Sequence, residues 1–148
     1  MDAAEVLKKE NIILGLFAED KEEVISRLCN LLLENGALTD KQAFEDDVKM
    51  REATCSTAIG NAIAIPHGKS AHVKETTAAV ARLANPVKWS AEDDEVVSFV
   101  VLLAVNENDK GTSHVRLLSQ MARKLASEEA CAKLMSANGS EEIIKIFS

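Results

Sequence analysis

Val96-Val97-Ser98-Phe99-Val100-Val101-Leu102-Leu103-Ala104-Val105 is an almost unbroken apolar run, rich in β-branched residues. It is half the roughly 20 residues that a membrane-crossing helix needs, and it shows no 3.6-residue period. Such a run fits a strand buried on both faces, the kind found in the middle of a sheet covered by helices on either side. Working outward, residues 77–83 alternate β-compatible side chains until Asn85-Pro86 is expected to break the pattern. Residues 63–65 form a brief apolar strand that Pro66 should stop, and residues 11–17 supply another. Helices separate these strands. Val24, Ile25, Leu28, Leu31 and Leu32 recur at helical spacing, and Asn35-Gly36 closes that helix. Thr39-Asp40 opens a second helix running to Lys49 or beyond. After a polar loop over 106–111, Thr112 or Ser113 caps a helix whose apolar face is Val115, Leu117, Leu118, Met121 and Leu125. A further helix starts near Ser127, Asn138-Gly139 ends it, and Ser140 opens a short terminal one. The pattern predicts an α/β fold: a single three-layer α/β/α domain over residues 1–148, with a central mixed, mostly parallel β-sheet flanked by helices.

A chain of 148 residues with 47% hydrophobic and 28% charged content has the composition of an ordinary globular domain. The charged N-terminal decapeptide is unlike a secretory leader, so a cytoplasmic protein without membrane insertion is expected. Cys29, Cys55 and Cys131 are odd in number and widely spread, which suggests reduced thiols rather than a disulfide framework or a zinc site. A net charge of −7 argues against nucleic acid, whose binding rests on clustered Lys and Arg.

Only three histidines are present, and one stands in the frame Ile63-Ala64-Ile65-Pro66-His67-Gly68. Pro66 fixes its own φ and Gly68 permits conformations closed to other residues, so the imidazole is held at the end of a strand, where sites form. A ring that is largely neutral near pH 7 offers a nucleophilic nitrogen and leaves readily from a phosphoramidate. A histidine at such a place equally serves as a plain loop hydrogen-bonding group, and the hexapeptide alone leaves the two readings even.

The wider pattern is more specific. Glu52, six residues, Ile59-Gly60, two residues, then Ile63 through Gly68 agree at nine positions with the phosphorylation-site signature of the fructose and mannitol type of phosphotransferase-system enzyme IIA, which the chain resembles. Likeness extends through Arg51, Asn85-Pro86-Val87-Lys88-Trp89, the apolar strand and the helix near His114, covering roughly residues 45–147. Ala58 and Ala62 stand where many members carry Gly, which stiffens the loop. The resemblance implies that His67 accepts a phosphoryl group from phospho-HPr and passes it to a cysteine of enzyme IIB. By the same resemblance His114 is a second active-site histidine, Arg51 lies against the phosphoryl group, and Asn61 takes a polar position with a weaker claim to phosphate.

Chemistry supports those roles, because phosphoryl transfer depends on positioning and charge. A guanidinium presents two parallel donors to phosphate oxygens, a helix start beside His114 favours anions, and Thr54, Ser56 and Thr57 offer hydroxyl donors. Of these, Thr57 is taken as a weaker phosphate ligand. No cofactor or metal is called for. A regulator of the nitrogen-related branch, acting through phosphorylation-dependent protein binding, is the alternative reading. A metallohydrolase using His67, His72 and His114 with the acidic run at 92–95 is disfavoured, since no metal-binding helix spacing is present. His72 receives no role, Cys55 is expected to be a buried structural thiol, and Trp89, Phe44, Phe99 and Phe147 are expected to pack.

Overall fold

The computed structural model describes residues 2–90, 94–109 and 113–148. In chain order the elements are α1 (Ala3–Val6), β1 (Leu7–Leu16), α2 (Lys21–Glu34), α3 (Lys41–Thr54), β2 (Ala58–Gly60), β3 (Ile63–Ala64), β4 (His67–Ser70), β5 (Thr77–Lys88), β6 (Val96–Asn106), α4 (Ser113–Leu125), α5 (Glu128–Ser136) and α6 (Ser140–Ile146). The sheet order is β1-β5-β6-β3-β2, with β4 also paired to β6, so the apolar run is the central strand, as its composition predicts. Among the described residues, three of the five strand pairings are parallel, β1 with β5 and both β3 and β4 with β6, while β5–β6 and β2–β3 are antiparallel.

Alternate residues of β6 feed two cores. Val97, Val100, Leu102 and Ala104 pack with Val24, Leu28 and Leu32 of α2 and Phe44 and Val48 of α3. Phe99, Val101, Leu103 and Val105 pack on the other face with Leu117 and Met121 of α4, Leu134 of α5 and Ile143 of α6. Two helical layers therefore enclose the sheet, the three-layer arrangement expected from the sequence. Trp89, Phe44, Phe99 and Phe147 are all buried. Asp20, Asp40 and Ser127 accept hydrogen bonds from the backbone N–H groups of Glu23, Ala43 and Ala130, satisfying free donors at the starts of α2, α3 and α5. The expected cap at Thr112, and Glu92 of the acidic run, lie outside the described residues.

Several local expectations are corrected. Pro86 does not end β5: it falls where the β5–β6 register shifts between Arg82 and Val87, so no ladder N–H is required of it. β1 begins at Leu7, four residues earlier than its apolar segment, because its first half is an exposed edge of Lys8, Lys9 and Glu10 across a register irregularity. Pro66 interrupts but does not stop the third strand. Ile63 faces Phe99 and His67 faces Leu103, the same offset of 36 (99 − 63 and 103 − 67), so the chain runs on along β6 through Ile65-Pro66 without slipping register. The Pro66 carbonyl still accepts from the Leu103 N–H, which holds the missing-donor residue in the sheet.

Candidate active site

His67 is the first residue of β4, half-buried, and its backbone is fixed by pairing with Leu103. Ring Nδ1 lies 3.0 Å from the Ile65 carbonyl oxygen. A carbonyl only accepts, so Nδ1 carries the proton and the neutral ring keeps its lone pair on Nε2. Burial depresses the imidazole pKa below its ordinary 6.5; the Ile65 hydrogen bond and the charge of Glu52 oppose this, while Arg51 and His114 add to it. The balance favours an uncharged nucleophile at neutral pH.

Arg51, in the last turn of α3, lines a cleft of about 220 Å³ together with Ser56, Thr57, Ile59, Ile65, His67, Leu118 and Ala122. One guanidinium N–H donates to the Cys55 carbonyl at 2.9 Å, closing the end of α3, and a guanidinium has further donors to offer. Beside it, Glu52 is buried and accepts from both the backbone N–H of Thr57, at 2.9 Å, and the Thr57 hydroxyl. This alters the expectation for Thr57. It does line the cleft, but its hydroxyl proton is committed to Glu52, so it has none to donate to a phosphate oxygen.

α4 brings the third group. His114, Leu118 and Ala122 follow one another at four-residue spacing, so His114 stands on the α4 face that borders the cleft. Its Nδ1 is buried without a hydrogen-bond partner among the described residues. Asn61 is not brought to the cleft. Its amide donates to the Leu125 carbonyl at 3.3 Å, fastening the turn between β2 and β3 to the end of α4. His72 sits in the turn after β4, its ring against the Thr39 hydroxyl. Cys55 is exposed rather than buried, because it lies past the end of α3 with its carbonyl toward Arg51. Among the described residues no group of three His, Cys, Asp or Glu side chains is arranged to hold a metal ion. A larger groove of about 920 Å³ runs along α4, α5 and α6, past Arg123, Lys133 and Phe147, and contains none of the candidate phosphate-site residues His67, His114, Arg51, Asn61 and Thr57. Behind the cleft, Glu52 was legible in the sequence only as a signature position, and nothing pointed to the Ile65 carbonyl; within it, Leu118 was readable as the residue one turn beyond His114.

An α/β sheet that presents a neutral imidazole beside a guanidinium defines a protein built to meet an anion. Residues 5–148 match the family described as "Phosphoenolpyruvate-dependent sugar phosphotransferase system, EIIA 2". The "PTS system 2-O-alpha-mannosyl-D-glycerate-specific EIIABC component" of Escherichia coli strain K12 is 35% identical over 145 residues, 97% of this chain and 22% of that protein. The "PTS system fructose-like EIIA component" of the same strain is 32% identical over 127 residues, 86% of this chain and 85% of that one. Among solved structures, the nitrogen regulatory protein IIA-Ntr from Neisseria meningitidis superposes with a TM-score of 0.89 at 31% identity, covering 98% of both chains. The chain spans about a fifth of the length of most of the curated relatives it matches. It belongs to the EIIA type 2 family, the fructose- and mannitol-like branch, and is a phosphoryl-transfer component of that system. Among the described residues no helix is long and apolar enough to cross a membrane.

Proposed function

We propose that His67 takes a phosphoryl group on Nε2 from the phosphohistidine of HPr and hands it to a cysteine of enzyme IIB, serving cytoplasmic uptake and phosphorylation of a fructose-like sugar. The observation that carries the reading is the Nδ1 contact to the Ile65 carbonyl, which leaves Nε2 as the nitrogen with a free lone pair. That lone pair attacks phosphorus in line as the P–N bond to the donor imidazole breaks and the departing ring keeps the electron pair. The product ring bears phosphorus on Nε2 and its proton on Nδ1. The Ile65 carbonyl faces the resulting positive charge, and the same charge makes the ring a good leaving group for the next transfer. Arg51 neutralises the moving oxygens, and His114, with an unpartnered ring nitrogen among the described residues, supplies a further contact.

Exposed apolar side chains support protein partners rather than a small substrate. Ile59 lines the cleft, and Met50 and Val115 adjoin Arg51 and His114 in the chain; all three are exposed. Donor and acceptor then use one surface in turn.

Incubation with phosphoenolpyruvate, enzyme I and HPr should place acid-labile phosphate on the wild type and none on His67→Ala; equal labelling of the two would reject the assignment. The similarity to IIA-Ntr over nearly the whole chain favours a second reading, a regulator whose phosphorylation changes protein binding. Label that moves from His67 to an enzyme IIB cysteine supports transport, whereas label that stays on His67 supports regulation.

A further inference from the structure

Three consecutive hydrogen-bonded steps join the interior of α3 to the His67 ring. The Glu52 carboxylate accepts from the Thr57 N–H and the Thr57 hydroxyl. The Thr57 carbonyl accepts from the Ile65 N–H at 3.1 Å. The Ile65 carbonyl accepts from His67 Nδ1 at 3.0 Å. Glu52, Thr57 and Ile65 are 5%, 6% and 4% exposed, so water does not compete for the bonds between them. Among the described residues no Lys or Arg stands within ion-pair distance of Glu52, and a buried carboxylate without a cation is costly to keep. Its two hydrogen bonds both go to one residue, the one whose carbonyl fixes Ile65. A shape-preserving amide sets an N–H donor where one carboxylate oxygen stood and removes the charge, so one of the two bonds that Thr57 donates is lost or reversed and the charge-assisted hold weakens.

We infer that Glu52 is a positioning residue for His67: through Thr57 and Ile65 it fixes which ring nitrogen carries the proton and which is left to react. The inference deepens the function proposed above, and its first readout is independent of it. The Glu52→Gln variant of the full chain is to be compared with wild type by long-range proton–nitrogen NMR of the His67 ring at a pH where the ring is neutral. Wild type is expected to show only the Nδ1–H form. Glu52→Gln is expected to show a mixture with an Nε2–H population. With HPr phosphorylated by phosphoenolpyruvate and enzyme I as donor, its kcat is expected to fall about tenfold while KM for phospho-HPr holds, the signature of misorientation rather than lost binding. Thr57→Ser keeps both donors and is expected to retain the wild-type ring form, while Thr57→Val loses the hydroxyl and is expected to shift it. That pair carries the test if Glu52→Gln does not fold.

An unchanged ring form in folded Glu52→Gln, or in Thr57→Val, overturns the inference, and so does a rate loss without a change of ring form. Wild type that takes up no phosphate would defeat the proposed function, while a shifted ring form in Glu52→Gln would still uphold the positioning role.

Discussion

Ala62 is the second central residue of the turn between β2 and β3, and its φ of +63° follows +55° at Asn61. A two-residue hairpin turn with both central φ values positive favours Asn and Gly, and an L residue with a Cβ is strained there by about 1–2 kcal/mol. Allowing for the greater freedom Gly has in the unfolded chain, Ala62→Gly is expected to stabilise the fold by about 0.5 kcal/mol, read as a rise in the urea midpoint with unchanged slope. His67 makes a second prediction at this scale. Its folded pKa is depressed, chiefly by burial, below 6.5. Phosphoryl acceptance should therefore lose its acid limb at a midpoint below pH 6.5, and an NMR titration of the ring should show the same midpoint. The linkage has a definite sign. Between the folded pKa and 6.5 the unfolded chain binds the proton and the native chain does not, so this contribution to stability is intact above about pH 6.5 and is lost as pH falls from there to the folded pKa. A His67→Gln variant should show a smaller loss of stability across that window.

The packing of α3 is the decisive contact at the level of elements, because it sets both Arg51 and the His67 strand. A Cβ built on Gly68 would stand 3.0 Å from Val48 Cγ2 and 3.2 Å from Phe44 Cε1, and both neighbours are fully buried, so they can give only by displacing the core around them. Gly68→Ala is expected to cost about 1–3 kcal/mol by pushing α3 from β4, and to slow phosphorylation of His67 as well, since Arg51 rides on the same helix. Thermal unfolding together with the labelling assay checks both parts. Farther along α3, Glu45 is buried between two lysines of its own helix. Lys49 donates to it at 2.8 Å; Lys41 stands 2.7 Å away, off the hydrogen-bonding direction, and also bonds Ser26 of α2. Burial raises the Glu45 pKa, but the two lysines outweigh it and the net shift is downward. This clamp is present above the ordinary carboxylate range and fades as pH falls through the folded pKa. Glu45→Gln should therefore destabilise the protein at pH 7, and its cost should shrink as pH falls below 4.5 toward the folded pKa, measured by denaturant titration across that range.

Over the whole molecule, the two cores meet only through the sheet, yet β6 contributes alternate side chains to both, which makes their loss a shared event. Leu134 of α5 lies on one face, while Trp89, the only tryptophan, lies on the other. Leu134→Ala is expected to cost about 2–4 kcal/mol, and to lower the Trp89 fluorescence transition by the same amount as the far-UV one. Separate transitions would show that the layers unfold independently. Much of this architecture was legible beforehand. The apolar run fitted a doubly covered strand, the caps Asp40 and Ser127 marked real helix starts, and the frame around His67 held a polar ring where an apolar strand gives way to a loop, because burial period and cap chemistry are local properties. What lay beyond the sequence was every choice of partner made across the fold. Pro86 sits within β5 because the neighbouring ladder happens to be interrupted there. The Asn61 amide turns to Leu125, 64 residues away, and the Thr57 hydroxyl to Glu52, so neither offers its donor to a phosphate, as the resemblance suggested for Asn61 and the hydroxyl for Thr57. A polar side chain satisfies whichever group packing brings within hydrogen-bonding distance, and only the assembled layers decide which group that is.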